Sequence, residues 1–178
     1  FRNEITLGNF VFRTLEFNLS EFEYFFNPNE KNWMDYFNFW KKEMVEWIVS
    51  LGIPRDRLRW RVHTDAERAH YSERTEDLDF EFPMGYKELF GIAYRTDYDL
   101  RNHMEKSGVD LTYKDHKTGE SLIPHVVEPT FGINRALLAL LVDGYRKEDK
   151  RIVLKLDPRI APYRFAVFPL VRNKPEIV

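Results

Sequence analysis

The stretch DLDFEFP at 77–83 alternates acidic and apolar residues. Side chains on a strand point to opposite faces in turn, so this pattern predicts a strand with one buried and one wet face. Two further extended runs follow: ELFGIAYR at 88–95, which reads as a buried strand leading into a polar segment, and LIPHVVEP at 122–129. HKTGES at 116–121 reads as a turn between them. A middle built from short strands and turns folds as a sheet whose strands run antiparallel. Helical periodicity brackets it. At 32–50, Trp33, Phe37, Trp40, Met44 and Trp47 recur at three- and four-residue steps, and Gly52 and Pro54 close the segment. The run INRALLALLVDGYRK after Gly132 predicts a second helix of about four turns. The fold class is therefore α+β, and the aromatic stripe is core.

The first residues carry a different pattern. Residues 10–26, FVFRTLEFNLSEFEYFF, are rich in Phe and contain neither Gly nor Pro, which predicts extended strand. If that strand is continuous, Arg13, Phe17 and Glu21 share one face. Arg2 and Glu4 share a face of the strand before it, and TLGN at 6–9 reads as the turn of a hairpin. At the other end, KEDKR at 147–151 reads as a solvated linker. IVLKLDPRIAPYRFAVFPLV then gives strand-like pieces split by prolines, the expected start of a second unit.

Composition excludes several classes of function. The formal net charge of −2 removes general electrostatic binding to nucleic acid, leaving only a local patch. The absence of cysteine removes disulfides, thiolate metal sites and a cysteine nucleophile, and it fits a reducing compartment such as the cytoplasm. No run of about 18 apolar residues is present, so no transmembrane helix is expected, nor is a membrane partner. The chain opens on Phe1 without an initiator methionine, which leads us to expect a fragment or a processed product.

No phosphate-loop, dinucleotide-fingerprint, H-E-x-x-H or G-x-S-x-G pattern occurs. The five histidines lack metal-ligand spacing. What remains is arginines and carboxylates on strands: Arg2 and Arg13 in the opening hairpin, Glu128 and Arg135 around PTFGIN. A guanidinium on a rigid strand beside an aromatic ring suits phosphate and base. A deep carboxylate would repel phosphate and suits an ammonium group or a magnesium ion. The pattern asks for a nucleoside phosphate beside an amine, although any one of these residues, taken alone, also reads as a surface ion pair.

FRNE followed by FRTLEF resembles motif 2 of the class II aminoacyl-tRNA synthetases, and EPTFGINRALLALL resembles their motif 3. Together with AHYS, GYKELFGIAYRTDYDL, SGVDLTY, IPHVVEP, RIVLKLDPRIAP and FPLV, in this order, the chain resembles the dimeric glycyl-tRNA synthetase family over nearly all 178 residues. The resemblance implies an antiparallel sheet flanked by helices. It implies glycine–tRNA ligase activity: ATP and glycine give glycyl-adenylate, and the glycyl group passes to the 3′ end of tRNA(Gly). It assigns Arg2 to the ATP α-phosphate and Arg135 to the γ-phosphate side, both in catalytic roles. Asn3, Glu4, Phe12, Arg13, Phe17, Glu88, Leu89 and Gly132 complete the ATP set, with Phe17 stacked on adenine. Glu21, Glu128 and Thr130 take the glycine. Magnesium enters with the ATP phosphates; its protein ligands stay open, with Glu88 a candidate. Residues 1–150 match the catalytic core from motif 2 through motif 3, and 151–178 a linker and the start of the anticodon-binding domain. Motif 1, most of that domain and the homodimer partner are expected outside the chain.

The sequence departs from the family pattern at Leu15, where arginine is usual, at Gly8, at NLSE (18–21) and at Thr130, where serine is usual. These departures keep open a second reading, a non-catalytic binding or assembly module that kept the fold, as the accessory subunit of mitochondrial DNA polymerase illustrates.

Overall fold

The structure is a computed structural model describing residues 2–3, 6–116 and 118–169. In chain order the elements are β1 (Arg2–Asn3), a 3-10 turn (Phe10–Phe12), β2 (Glu16–Phe17), β3 (Leu19–Glu21), β4 (Tyr24–Phe26), α1 (Trp33–Ser50), a 3-10 turn (Arg55–Arg57) and β5 (Leu58–Val62). There follow β6 (Arg74–Phe82), β7 (Gly85–Thr96), α2 (Tyr98–Ser107), β8 (Tyr113–Lys114), β9 (Ser121–Leu122), β10 (His125–Gly132), α3 (Ile133–Gly144), β11 (Tyr145–Lys147) and β12 (Ile152–Leu154).

The main sheet runs β3-β10-β7-β6-β5, with β4 also paired to β10, and every pairing is antiparallel. With three helices among the described residues, this is the expected α+β class. None of these helices is long and apolar enough to cross a membrane.

Helix α1 starts at Asn32, whose side chain accepts a hydrogen bond from the Met34 N–H at 2.9 Å, an N-cap. It packs on one face of the sheet. Phe37, Met44 and Ile48 are buried there with Leu78, Phe80, Phe90, Ile92 and Phe131. Trp33 stacks on Tyr94, with ring centres 4.3 Å apart, and the Trp47 ring lies edge-on to Phe131 at 5.2 Å. The aromatic stripe is thus mostly core, although Trp47 stays partly exposed.

The structure corrects three sequence expectations. Residues 10–26 do not form one strand. Asn9 takes a left-handed conformation (φ 53°) and the chain turns at Phe10–Phe12, where Phe12 is buried edge-on to Phe82. A second break falls at Asn18. Its N–H donates to Asn134 Oδ1 (2.7 Å) and its C=O accepts from the Ile133 N–H (3.0 Å). The first turn of α3 therefore takes the backbone groups that a continuous ladder would use. The hairpin expectation survives in part: β1 pairs antiparallel with β2, and Gly8 bridges Arg13.

Strand β6 is also not half-wet. Asp77 and Asp79 on its acidic face are buried, only 5% and 2% exposed, while Glu81 stays exposed. Arg59 and Arg61 on edge strand β5 lie over these carboxylates, and His63 reaches Asp77 at 2.8 Å. Finally, the charge run at 147–151 is not an open linker. It spans the tight turn of the β11–β12 hairpin, where the Glu148 N–H donates to the Arg151 C=O. Strand β5 and helix α2 were not anticipated.

Candidate functional site

The face of the sheet opposite α1 carries the candidate chemistry. Directly opposed residues on antiparallel strands share a face. One row therefore runs across the sheet through Glu21 on β3, Thr130 on β10, Gly91 on β7, Asp77 on β6 and Arg61 on β5. The adjoining row sets Glu128 opposite Ala93 and Ala93 opposite Thr75. Gly91 lies between Thr130 and Asp77, and Ala93 between Glu128 and Thr75, so each small residue has one carboxylate and one threonine beside it and the floor there is shallow and polar-walled. Gly91 in a strand interior weakens the strand, and a Cβ there would lie 3.6 Å from Asp77 Oδ1.

Glu88 reaches this face through a β-bulge. The pairing of β6 with β7 shifts between Leu78 and Asp79: Leu78 opposes Phe90, whereas Asp79 opposes Glu88, leaving Leu89 as the extra residue. Without the bulge, Glu88 would point toward α1. With it, Leu89 is buried and Glu88 stands exposed beside Arg135. The Glu88 carboxylate also helps burial hold the Asp77 carboxyl above its ordinary range.

Arg135, in the first turn of α3, lines a cavity with Arg13, Phe17, Glu88, Leu89 and Gly132. Its guanidinium lies 4.3 Å over the Phe12 ring, pairs with Glu88 at 2.9 Å and donates to the Glu88 C=O at 3.1 Å. A Cβ at Gly132 would lie 3.1 Å from the Leu89 carbonyl oxygen, so a larger residue there would make that backbone give by a few tenths of an ångström. Of the ten residues assigned to ATP, Phe12, Arg13, Phe17, Glu88, Leu89, Gly132 and Arg135 line this one cavity. Arg2 and Asn3 appear as the backbone of β1, opposite Phe17 and Glu16. Their side chains, and Glu4 altogether, lie outside the described residues.

The face shared by Arg13, Phe17 and Glu21 does not arise as expected. Phe17 belongs to the β1–β2 pair and Glu21 to the main sheet. Arg13 and Phe17 meet in the cavity, while Glu21 lies opposite Thr130, which itself lines the cavity rim.

The three residues assigned to glycine gather on β3 and β10. The Thr130 hydroxyl points to Glu128 Oε1 at 3.5 Å. Burial pushes the Glu128 carboxyl up to about 7, helped by a hydrogen bond with Glu23 and by the charge of Glu21, and opposed by Arg95. Arg95 and Glu23 escaped the sequence reading. Arg95 donates to Glu128 at 2.8 Å, binds Asp99 through two bonds of 2.7 and 2.9 Å, and lies 4.0 Å over the Tyr71 ring. Asp99, first among its partners, fixes Arg95 in the charged state. The only sequence signal for Arg95 was its place in GIAYRTDYDL, where Arg95 and Asp99 stand four apart. Nothing local to the sequence links either of them to Glu128.

A larger hollow of about 320 Å³ lies between β4, α1 and the β8–β9 hairpin. Its described lining is aromatic and acidic, with Tyr24, Tyr36, Tyr113, Glu30 and Asp115 and no arginine or lysine, so it offers no partner to a phosphate.

No protein-family model matches the chain. Individual relatives do. A protein of Caldanaerobacter subterraneus subsp. tengcongensis named glycine–tRNA ligase is 51% identical over 177 residues, covering 97% of this chain and 38% of the relative. A glycine–tRNA ligase of Geobacillus thermodenitrificans is 47% identical over 178 residues, with the same coverage of each. One of Alkaliphilus metalliredigens is 45% identical over 181 residues, covering 99% of this chain and 39% of the relative. The chain thus spans about two-fifths of the length of the relatives it matches.

Proposed function

We propose that the chain, which belongs to the glycine–tRNA ligase family, is the part of such a ligase where ATP and glycine meet, on a catalytic core of class II architecture. One observation carries the reading. A cavity holding Arg13, Phe17, Glu88 and Arg135 opens at Thr130, beside Glu21, Glu128 and Asp77 around Gly91. The first half suits phosphate and base, the second a small ammonium ligand.

In this reading Arg135 exchanges its Glu88 partner for phosphate, aided by Arg13 and Arg2, and Phe17 stacks on adenine. Glu21, Glu128 and Thr130 hold the glycine ammonium over Gly91, where a larger side chain would meet the strand floor. The glycine carboxylate then attacks the α-phosphorus. Its oxygen bonds to phosphorus as the bond to the departing pyrophosphate breaks, and the protein acts by positioning and by offsetting charge. No side-chain nucleophile is needed. Magnesium fits the site as an ion carried by the phosphates, supplying charge neutralisation. Glu88 would contact it. Among the described residues no group of three or more metal-ligating side chains could hold an ion alone. The glycyl group then passes to tRNA(Gly). We assign a homodimer, a cytoplasmic setting and the division at residue 150 on the same family basis.

Glycine-dependent exchange of pyrophosphate into ATP, measured on the full-length protein at saturating glycine and magnesium ATP, tests the reading. Its absence would sink the ligase assignment. A non-catalytic module is the second reading, favoured by Leu15, which is 58% exposed where the family carries a charge. It predicts ATP or glycine binding without exchange.

A further inference from the structure

Gly91 leaves a hollow in the sheet between two facing side chains. Thr130 on β10 and Asp77 on β6 both lie directly opposite it. Cross-strand neighbours stand about 5 Å apart, so these two face each other across about 10 Å with no side chain between them. The residues read above as holding glycine, Glu21, Glu128 and Thr130, all belong to β3 and β10, on one side of this hollow. The other wall is Asp77. Arg61 on β5 and the Nε2 of His63, the latter at 2.8 Å, both bond its Oδ2. Two donors on one oxygen fix how the carboxylate is turned. Its Oδ1 is left facing Gly91, 3.6 Å from where a Cβ on that residue would stand. Nor does Arg61 cancel the charge of Asp77, because the same guanidinium lies 3.7 Å from Asp79 and 3.6 Å from Glu67.

We propose that Asp77 is a further glycine-binding residue, the wall of the pocket on the β6 side, with Arg61 and His63 holding its Oδ1 toward the substrate ammonium. The inference rests on the glycine reading above and adds to it a contact from the opposite strand. An ammonium group carries three N–H donors. Glu21, Glu128 and Thr130 offer acceptors from β3 and β10 only. Asp77 offers a charged acceptor across Gly91, so the donors are met from both sides. The Nε2 of His63 carries the hydrogen of its bond to Asp77, since an ionised carboxylate only accepts. The same wall limits size. A substrate side chain turned toward β6 would press on a carboxylate that its two partners keep from swinging away.

Asp77→Asn in the full-length protein is the test. The amide oxygen can still accept from Arg61 and His63, which turns the NH₂ toward Gly91, where it meets the ammonium as a second donor. In glycine-dependent exchange of pyrophosphate into ATP, KM for glycine should rise about tenfold or more. KM for ATP should stay within about twofold of the wild type. Thermal unfolding of the variant reports on the fold separately. An unchanged KM for glycine in a folded variant would overturn the proposal and leave Asp77 a structural ion-pair residue. A parallel rise in both KM values would overturn it too, as the mark of a general distortion of the sheet. Should the variant fail to fold, a crystal structure of the full-length wild type with glycine decides. The glycine nitrogen is expected within about 3.2 Å of Asp77 Oδ1. A nitrogen bonded by Glu21 or Glu128 but beyond about 4 Å from Asp77 would overturn the inference and leave the glycine site standing. No glycine-dependent exchange in the wild type would overturn the ligase reading, and this inference with it.

Discussion

Replacing Glu128 by glutamine is expected to strengthen the fold at alkaline pH while removing glycine binding. The folded protein holds this carboxyl up to about 7 against an ordinary value of 4.5, through burial first and then Glu23. A raised carboxyl is a destabilising one. Between pH 4.5 and 7 the unfolded chain has already lost the proton that the folded chain retains, so rising pH favours unfolding. Above pH 7 the penalty is complete. At about 1.4 kcal/mol for each pH unit between the two values, it comes to about 3 kcal/mol. The side chain is only 12% exposed, so screening removes little of this. Glutamine carries no such penalty. Its amide oxygen still accepts from Arg95, and its amide NH₂ can donate to Glu23. The gain should therefore be about 3 kcal/mol at pH 8 and below about 1 kcal/mol at pH 5. With urea slopes of about 1–3 kcal/mol per molar, the pH 8 midpoint should rise by about 1 M or more. Urea unfolding of the two full-length proteins at both pH values makes the comparison. An equal gain at pH 5 and pH 8, or a lower midpoint at pH 8, would refute the electrostatic account. Retained glycine binding in the variant would refute the ammonium role of Glu128.

Three other perturbations probe the rest of the site. Gly91→Ala adds a methyl group 3.6 Å from Asp77 Oδ1, an ordinary contact, so stability should change by less than about 1 kcal/mol while glycine binding weakens about tenfold or more; calorimetry and thermal unfolding separate the two. Arg135→Lys loses the planar fork that stacks on Phe12 and bonds the Glu88 carbonyl, so KM for ATP in pyrophosphate exchange should rise about tenfold or more with KM for glycine little changed. Leu15→Arg falls on a side chain 58% exposed and should leave stability within about 0.5 kcal/mol. A fall in KM for ATP would mean that the position faces nucleotide, and unchanged exchange kinetics that it does not.

What could be read from the linear chain was what depends on neighbours in sequence. The 3.6-residue spacing from Trp33 to Trp47 specified α1, with Asn32 supplying its cap. The alternation in DLDFEF specified a strand, because period two is a local property of extended backbone. The α+β class followed, and seven of the ten residues that the resemblance assigns to ATP line one cavity. Tertiary structure decided whatever depends on a partner far along the chain. The 10–26 segment breaks at Asn18 because Ile133 and Asn134 bind its backbone, more than a hundred residues away. Asp77 and Asp79 of β6 are buried because β5 brings Arg59 and Arg61 over them. Glu88 faces the site because one extra residue in β7 shifts the register, and a one-residue slip flips every side chain beyond it. Arg95 matters through Glu128, 33 residues on, and Asp99 on α2. Periodicity reports which way a side chain points from its own backbone. Only the pairing of strands says what stands opposite, and the charge of that neighbour decides which groups hold protons.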